Sequence, residues 1–168
     1  MNRAEVRAEE VPLPPWAASL SEYSLKALGV LGRDGWDLSI LLCNDAYIRK
    51  LNAQYRGRDE ATDVLSFSLG ETCPDREGGE RYLPGDIVIS LETLEENSRF
   101  FEVSFDEELR RVIIHGMLHL SGMDHETNGE SEPMLLLQEE ILKKTEGQVL
   151  PPNSCRAPVP ARAGGGIL

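Results

Sequence analysis

Basic residues are scarce in this chain of 168 residues: seventeen Lys and Arg stand against twenty-nine Asp and Glu, a formal net charge of −12. Such a balance excludes a broad electrostatic footprint for nucleic acid, although a small basic patch around a site can survive it. The segment after Gly147 adds two arginines and no acid, which leaves −14 for the body of the chain. Cysteine is also sparse. Cys43, Cys73 and Cys155 are odd in number and widely spaced, which excludes a disulfide framework and a zinc knuckle. No apolar run reaches the length of a membrane span. The run ILLCNDAYI reads instead as a buried strand and turn, with Cys43 as a small hydrophobe. The N-terminus, MNRAEVRAEEVPLPPW, has acids where a signal peptide needs a basic and then an apolar region, so a cytoplasmic protein is expected.

Histidine is as scarce as cysteine, and its distribution is informative. His115, His119 and His125 are the only three, and all lie within HGMLHLSGMDH. The first two are four apart, so a helix presents both imidazoles from one side, one turn apart. Gly122 permits a tight turn that ends the helix and swings His125 back as a third nitrogen ligand. Three histidines leave one position of a tetrahedral Zn²⁺ open, as in catalytic rather than structural sites. Imidazoles also suit Ni²⁺, Co²⁺ or Fe²⁺ and are poor for Mg²⁺. Zinc is the default, one per chain, and no organic cofactor is expected.

What is missing beside these ligands narrows the chemistry. Zinc proteases of the HExxH type place a glutamate after the first histidine, where this chain has Gly116. The spacing otherwise matches HExxHxxGxxH. A peptidase would need its base from elsewhere. Asp124 adjoins the third ligand and can either hydrogen-bond a histidine or cap the turn.

Periodicity predicts a helix over 16–31, a strand over 37–43, a helix after the N-cap Asn44, and strands over 62–69 and 85–90. Residues 71–81 read as a mobile polar loop. A short helix follows over 91–99. A long one starts at a capping box formed by Ser104 and Glu107, and a last helix is capped by Ser131 and ends near Gly147. A short strand is expected near residues 6–11. In the long helix Leu109, Val112, Ile113, Gly116 and Leu120 form one apolar stripe, while Ile114 and Leu118 cover another side. The fold class is therefore α+β: a small mixed β-sheet packed against helices, with a central buried helix carrying the metal ligands. Residues 1–150 are expected to form a single domain. Residues 151–168, rich in Pro and Gly, are expected to be a disordered tail. Arg56 and Arg58 end the second helix, just before a candidate edge strand. There they either complement the helix C-terminus or clamp a phosphate.

HGMLHLSGMDH, with LNAQYRGRDEATDVLSFS and GDIVIS in order before it, resembles the YbeY-type endoribonucleases over residues 36–147. That resemblance implies a zinc-dependent, single-strand-specific endoribonuclease of the cytoplasm. It would act with the ribosome in maturation of the 3′ end of small-subunit ribosomal RNA and in ribosome quality control. It also implies His115, His119 and His125 as metal ligands, Arg56 and His115 as catalytic residues, and supporting positions at Ser66 and Asp86. Ribosomal RNA and the small ribosomal subunit become the expected partners, with no membrane. The chain has Ala61 and Ser68 where many members have proline, which changes backbone stiffness without removing a reactive group. The alternatives are another zinc hydrolase, acting on peptides or small molecules, and a ribosome assembly factor with a non-catalytic metal.

Overall fold

Four segments rich in apolar residues build one sheet, and the helices pack against its faces. A computed structural model describes residues 1–129, 131–147, 149 and 150; the expected tail lies outside them. The elements are β1 (Arg3–Ala8), α1 (Ala17–Val30), β2 (Asp37–Cys43), α2 (Asp45–Arg56), β3 (Val64–Pro74), β4 (Glu80–Ser90), α3 (Leu91–Phe100), α4 (Phe105–Leu120) and α5 (Pro133–Lys144). The sheet order is β1-β2-β4-β3. β1 runs parallel to β2 and β2 parallel to β4, while β3 is antiparallel to β4 and forms a free edge. The mixed sheet expected from sequence is therefore present.

The two faces of the sheet are unequal. Ile40 and Leu42 of β2, with Ile87 and Ile89 of β4, face α1 and α4 and join Leu20, Leu28, Leu109, Ile113 and Leu118 in the main core. The opposite face carries Cys43, Leu65 and Val88 under Ile48 of α2. Burial pushes the Cys43 thiol up to about 12, consistent with its reading as a small hydrophobe. The central helix α4 is buried on most of its surface, from Leu109 through Leu120. α5 contributes Met134, Ile141 and Leu142 to the same core.

Two local expectations fail and a third holds only in part. Residues 71–81 are not a loop: β3 and β4 extend to Pro74 and from Glu80, with a turn closed by Asp75 N donating to Gly79 O (2.9 Å). Cross-strand pairing and the buried Arg81–Asp37 ion pair compensate for the polar composition that suggested a loop. Ser131 does not cap the last helix. Glu132 is the N-cap and makes no side-chain cap bond, and Pro133 takes the first turn, where a missing N–H costs nothing. At the long helix, Ser104 Oγ does accept from Glu107 N (3.0 Å), but the Glu107 carboxylate turns to Arg111 instead of completing the box.

α4 approaches the sheet closely at Gly116. A Cβ there would sit 2.8–3.0 Å from the side-chain carbons of Ile87. α4 thus rests directly on β4 at the residue that follows the first histidine. We expect Gly116→Ala to destabilise the protein by about 1–3 kcal/mol through overpacking, and a second change, Ile87→Val, to recover part of that loss. Urea unfolding of the two variants checks this; an unchanged midpoint for Gly116→Ala would show that the contact yields freely.

Candidate metal centre

The site is assembled by one helix and the turn that ends it. His115 and His119 project from α4, and the helix stops in a Schellman arrangement. Met123 N donates to Leu118 O (3.0 Å) and Gly122 N to His119 O (2.9 Å). Gly122 has φ +94°, a conformation that disfavours any side chain. The chain then reverses, and Asp124 Oδ1 accepts from His125 N (2.8 Å), so Asp124 takes the turn-capping role. Its carboxylate lies 3.9 Å from His119 Nδ1, beyond hydrogen-bond range.

The three rings converge. One ring nitrogen from each of His115, His119 and His125 lies within 4.8 Å of the others, and the Nε2 atoms of His115 and His119 are 3.0 Å apart. Zinc–imidazole bonds of about 2.0–2.1 Å in a tetrahedral site would separate the nitrogens by about 3.3 Å, so this spacing fits such an ion. The other ring nitrogens settle the protonation. His119 Nδ1 faces Met123 O (3.1 Å), His125 Nδ1 faces Thr127 O (2.9 Å) and His115 Nδ1 faces Gln138 Oε1 (2.7 Å). A carbonyl oxygen can only accept, so a proton sits on each Nδ1, and in a neutral ring the lone pair is then on Nε2. Lone pairs of His115 and His119 then point at one another across 3.0 Å, an arrangement that a cation relieves. Burial pushes both imidazoles below their ordinary pKa, and for His119 the neighbouring His115 adds to the effect. Both are therefore neutral at pH 7, the form that binds metal.

His115 and His119 open into a cleft of about 420 Å³ lined by Arg56, Ser66, Ser68, Met123 and Asp124 among others. Arg56 reaches it from the last turn of α2. Its guanidinium donates through Nη2 to Ser66 O (2.6 Å) on the free edge of β3. Val64 and Ser66 pair with Ile89 and Ile87, which places them on the α4 face of the sheet, with the histidines. Ser68 enters the cleft just before a bulge opposite Gly85. There φ is +135° and a Cβ would lie 1.9 Å from Phe67 O, so glycine alone fits. Of the residues singled out in the sequence, the structure thus brings together His115, His119, His125, Arg56 and Ser66. Asp86 is not among them. It neighbours Ile87 in β4 and therefore faces the opposite side of the sheet.

Gln138 was missed by sequence reading. It lies in the buried face of α5 between Met134 and Ile141, and a lone amide on an apolar stripe is the signal that would have found it. The Met123 and Thr127 carbonyls had no such signal, because backbone acceptors leave no trace in residue type. Gly116 explains the absent glutamate in physical terms: the position is pressed against Ile87 and does not open into the cleft.

An α+β fold with an open three-imidazole centre and an arginine in its cleft defines a candidate metal-dependent hydrolase. The comparisons with known proteins give the particular family. The model of the family described as Endoribonuclease YbeY matches residues 3–146, and the chain belongs to that family. It is 49% identical over 143 residues to Endoribonuclease YbeY of Treponema pallidum (strain Nichols), covering 84% of this chain and 89% of the relative. It is 51% identical over 123 residues to that of Treponema denticola, covering 73% and 79%. A solution structure of a Thermotoga maritima protein, 28% identical, superposes with a TM-score of 0.58 over 84% of this chain and 88% of that one.

Replacing Gln138 by leucine should keep the fold and weaken zinc binding roughly 10- to 100-fold, by freeing the His115 ring from its orienting partner. Competition with a chromogenic chelator measures this. Unchanged affinity would mean that helix packing alone orients His115.

Proposed function

We propose that this protein is a zinc-dependent endoribonuclease that cuts single-stranded ribosomal RNA, with the 3′ end of the small-subunit RNA as its target. One observation carries the reading: in a cluster of three imidazoles, two rings, His115 and His119, line the same cleft as one guanidinium. His115, His119 and His125 would hold the ion. Zinc bound there supplies Lewis acidity for a phosphodiester and a local positive charge in an acidic protein. Arg56 would hold a phosphate oxygen. Its planar fork suits two oxygens at once, and its single bond to Ser66 O leaves other N–H groups to donate. Arg56 and Asp124 are the two formally charged side chains lining the cleft, so a divalent ion would make it net positive. Ser66 and Ser68 add small hydroxyl groups along the RNA path.

The peptidase alternative is disfavoured because the position of its general base is Gly116, buried against Ile87. A purely structural metal is disfavoured by three ligands rather than four beside an open cleft. With a net charge of −12, binding to free RNA should be weak, and delivery by the small ribosomal subunit in the cytoplasm fits such a chain. No helix among the described residues is long and apolar enough to cross a membrane.

Arg56→Ala should leave zinc content and Tm nearly unchanged and lower cleavage of single-stranded RNA by about 100-fold or more, and Arg56→Lys should not restore it. Equal cleavage by Arg56→Ala would remove this residue from the reaction; a matching loss of Tm would make it structural. The salt dependence gives a second measure. The slope of log binding constant against log salt should correspond to about two or three phosphate contacts. A slope equivalent to eight or more on naked RNA would show that local geometry overrides net charge, and ribosomal delivery would not be needed.

A further inference from the structure

Beyond the cleft, the surface next to Arg56 has a composition that the reaction itself does not require. Tyr55 is 60% exposed at the end of α2, while the buried side chains of that helix are Ile48 and Asn52. Its ring meets Phe67 of β3 nearly edge to face, with centroids 5.3 Å apart at 67°. The Arg56 guanidinium lies over the same phenyl ring, 5.8 Å from its centroid. Phe67 faces the α2 side of the sheet and Ser66 the metal side, so Arg56 and Tyr55 straddle the free edge of β3. α2 is also locally basic in an acidic protein. It holds Arg49, Lys50 and Arg56 against Asp45; Arg58 follows it, and the next two residues, Asp59 and Glu60, pair with Arg49 and Arg58.

We propose that Tyr55, backed by Phe67, is a stacking platform for the nucleobase adjoining the phosphate held at Arg56, so that single-stranded RNA crosses the free edge of β3. This rests on the nuclease reading above. Exposed aromatics interleaved with arginines are the chemistry by which single strands are bound without sequence preference, since every base offers a π face. Contact with Phe67 orients the tyrosine ring beforehand while most of its surface stays open. A paired strand keeps its bases stacked inside the helix and cannot use such a platform, so the surface selects single strands.

The zinc-loaded full chain tests this with a short single-stranded oligoribonucleotide, intact or carrying one abasic residue beside the cleaved bond. For the wild type, the abasic residue at the platform position should raise KM by about five- to hundredfold, the range for one lost base–aromatic stack. Tyr55→Ala should show that weakened KM on the intact strand and no further loss on the abasic one, at unchanged Tm. Tyr55→Trp should keep the wild-type pattern, and Tyr55→Leu, which retains an apolar contact with Phe67, should behave like Tyr55→Ala. Quenching of a 2-aminopurine at the platform position should disappear with the ring. If Tyr55→Ala binds as well as the wild type, or still pays the full abasic penalty, the platform is wrong and the nuclease reading stands. If the wild type neither binds nor cuts single-stranded RNA, both fall together.

Discussion

Two imidazole lone pairs facing each other across 3.0 Å are the constraint on which the rest of this molecule turns. The arrangement is unfavourable without a cation, and three features sustain it. Nδ1–H groups of His115, His119 and His125 are each committed to an oxygen, which fixes the tautomers. The helix that carries the first two rings is anchored on the sheet at Gly116, where even a Cβ would crowd Ile87. A left-handed glycine then reverses the chain and returns the third ring. Together these features turn the three rings toward one another in a cluster that could hold a metal ion.

The fold serves that centre. A free sheet edge at β3 lets Arg56 come around from the α2 side and reach the metal side, capping an unpaired carbonyl of Ser66 as it does so. That contact also blunts the edge, which would otherwise offer hydrogen-bonding groups to another strand. The cleft is thus bounded by one helix, one turn and one strand edge, all attached to a single core. The net charge of −12 disfavours a broad electrostatic attraction for polyanions outside this neighbourhood.

Much of this was legible in residue order. The His115–His119 spacing and Gly122 pointed to the cluster of three histidines, and apolar periodicity to α4 as a buried helix. Asn44 as a cap and Asp37–Cys43 as a strand were also read directly, and the structure has both. The signals that failed were those that depend on partners distant in sequence. Residues 71–81 are polar enough for a loop, yet pair as strands because β3 and β4 find each other and Arg81 finds Asp37. Asp86 was placed near the site because its segment is; the alternation of β4 sends its side chain to the other face. Gln138 is 23 residues from the histidine it orients, and only α5 folding back onto α4 reveals it.

The most direct test of the central claim is ¹⁵N NMR of the histidine rings in the zinc-free protein and through a zinc titration near pH 7.5. The account predicts protonated Nδ1 and unprotonated Nε2 in all three rings, with all three Nε2 resonances moving together and saturating at one equivalent of zinc. A protonated Nε2 in His119 or His125, or a titration that moves fewer than three rings, would contradict a centre built from these three histidines.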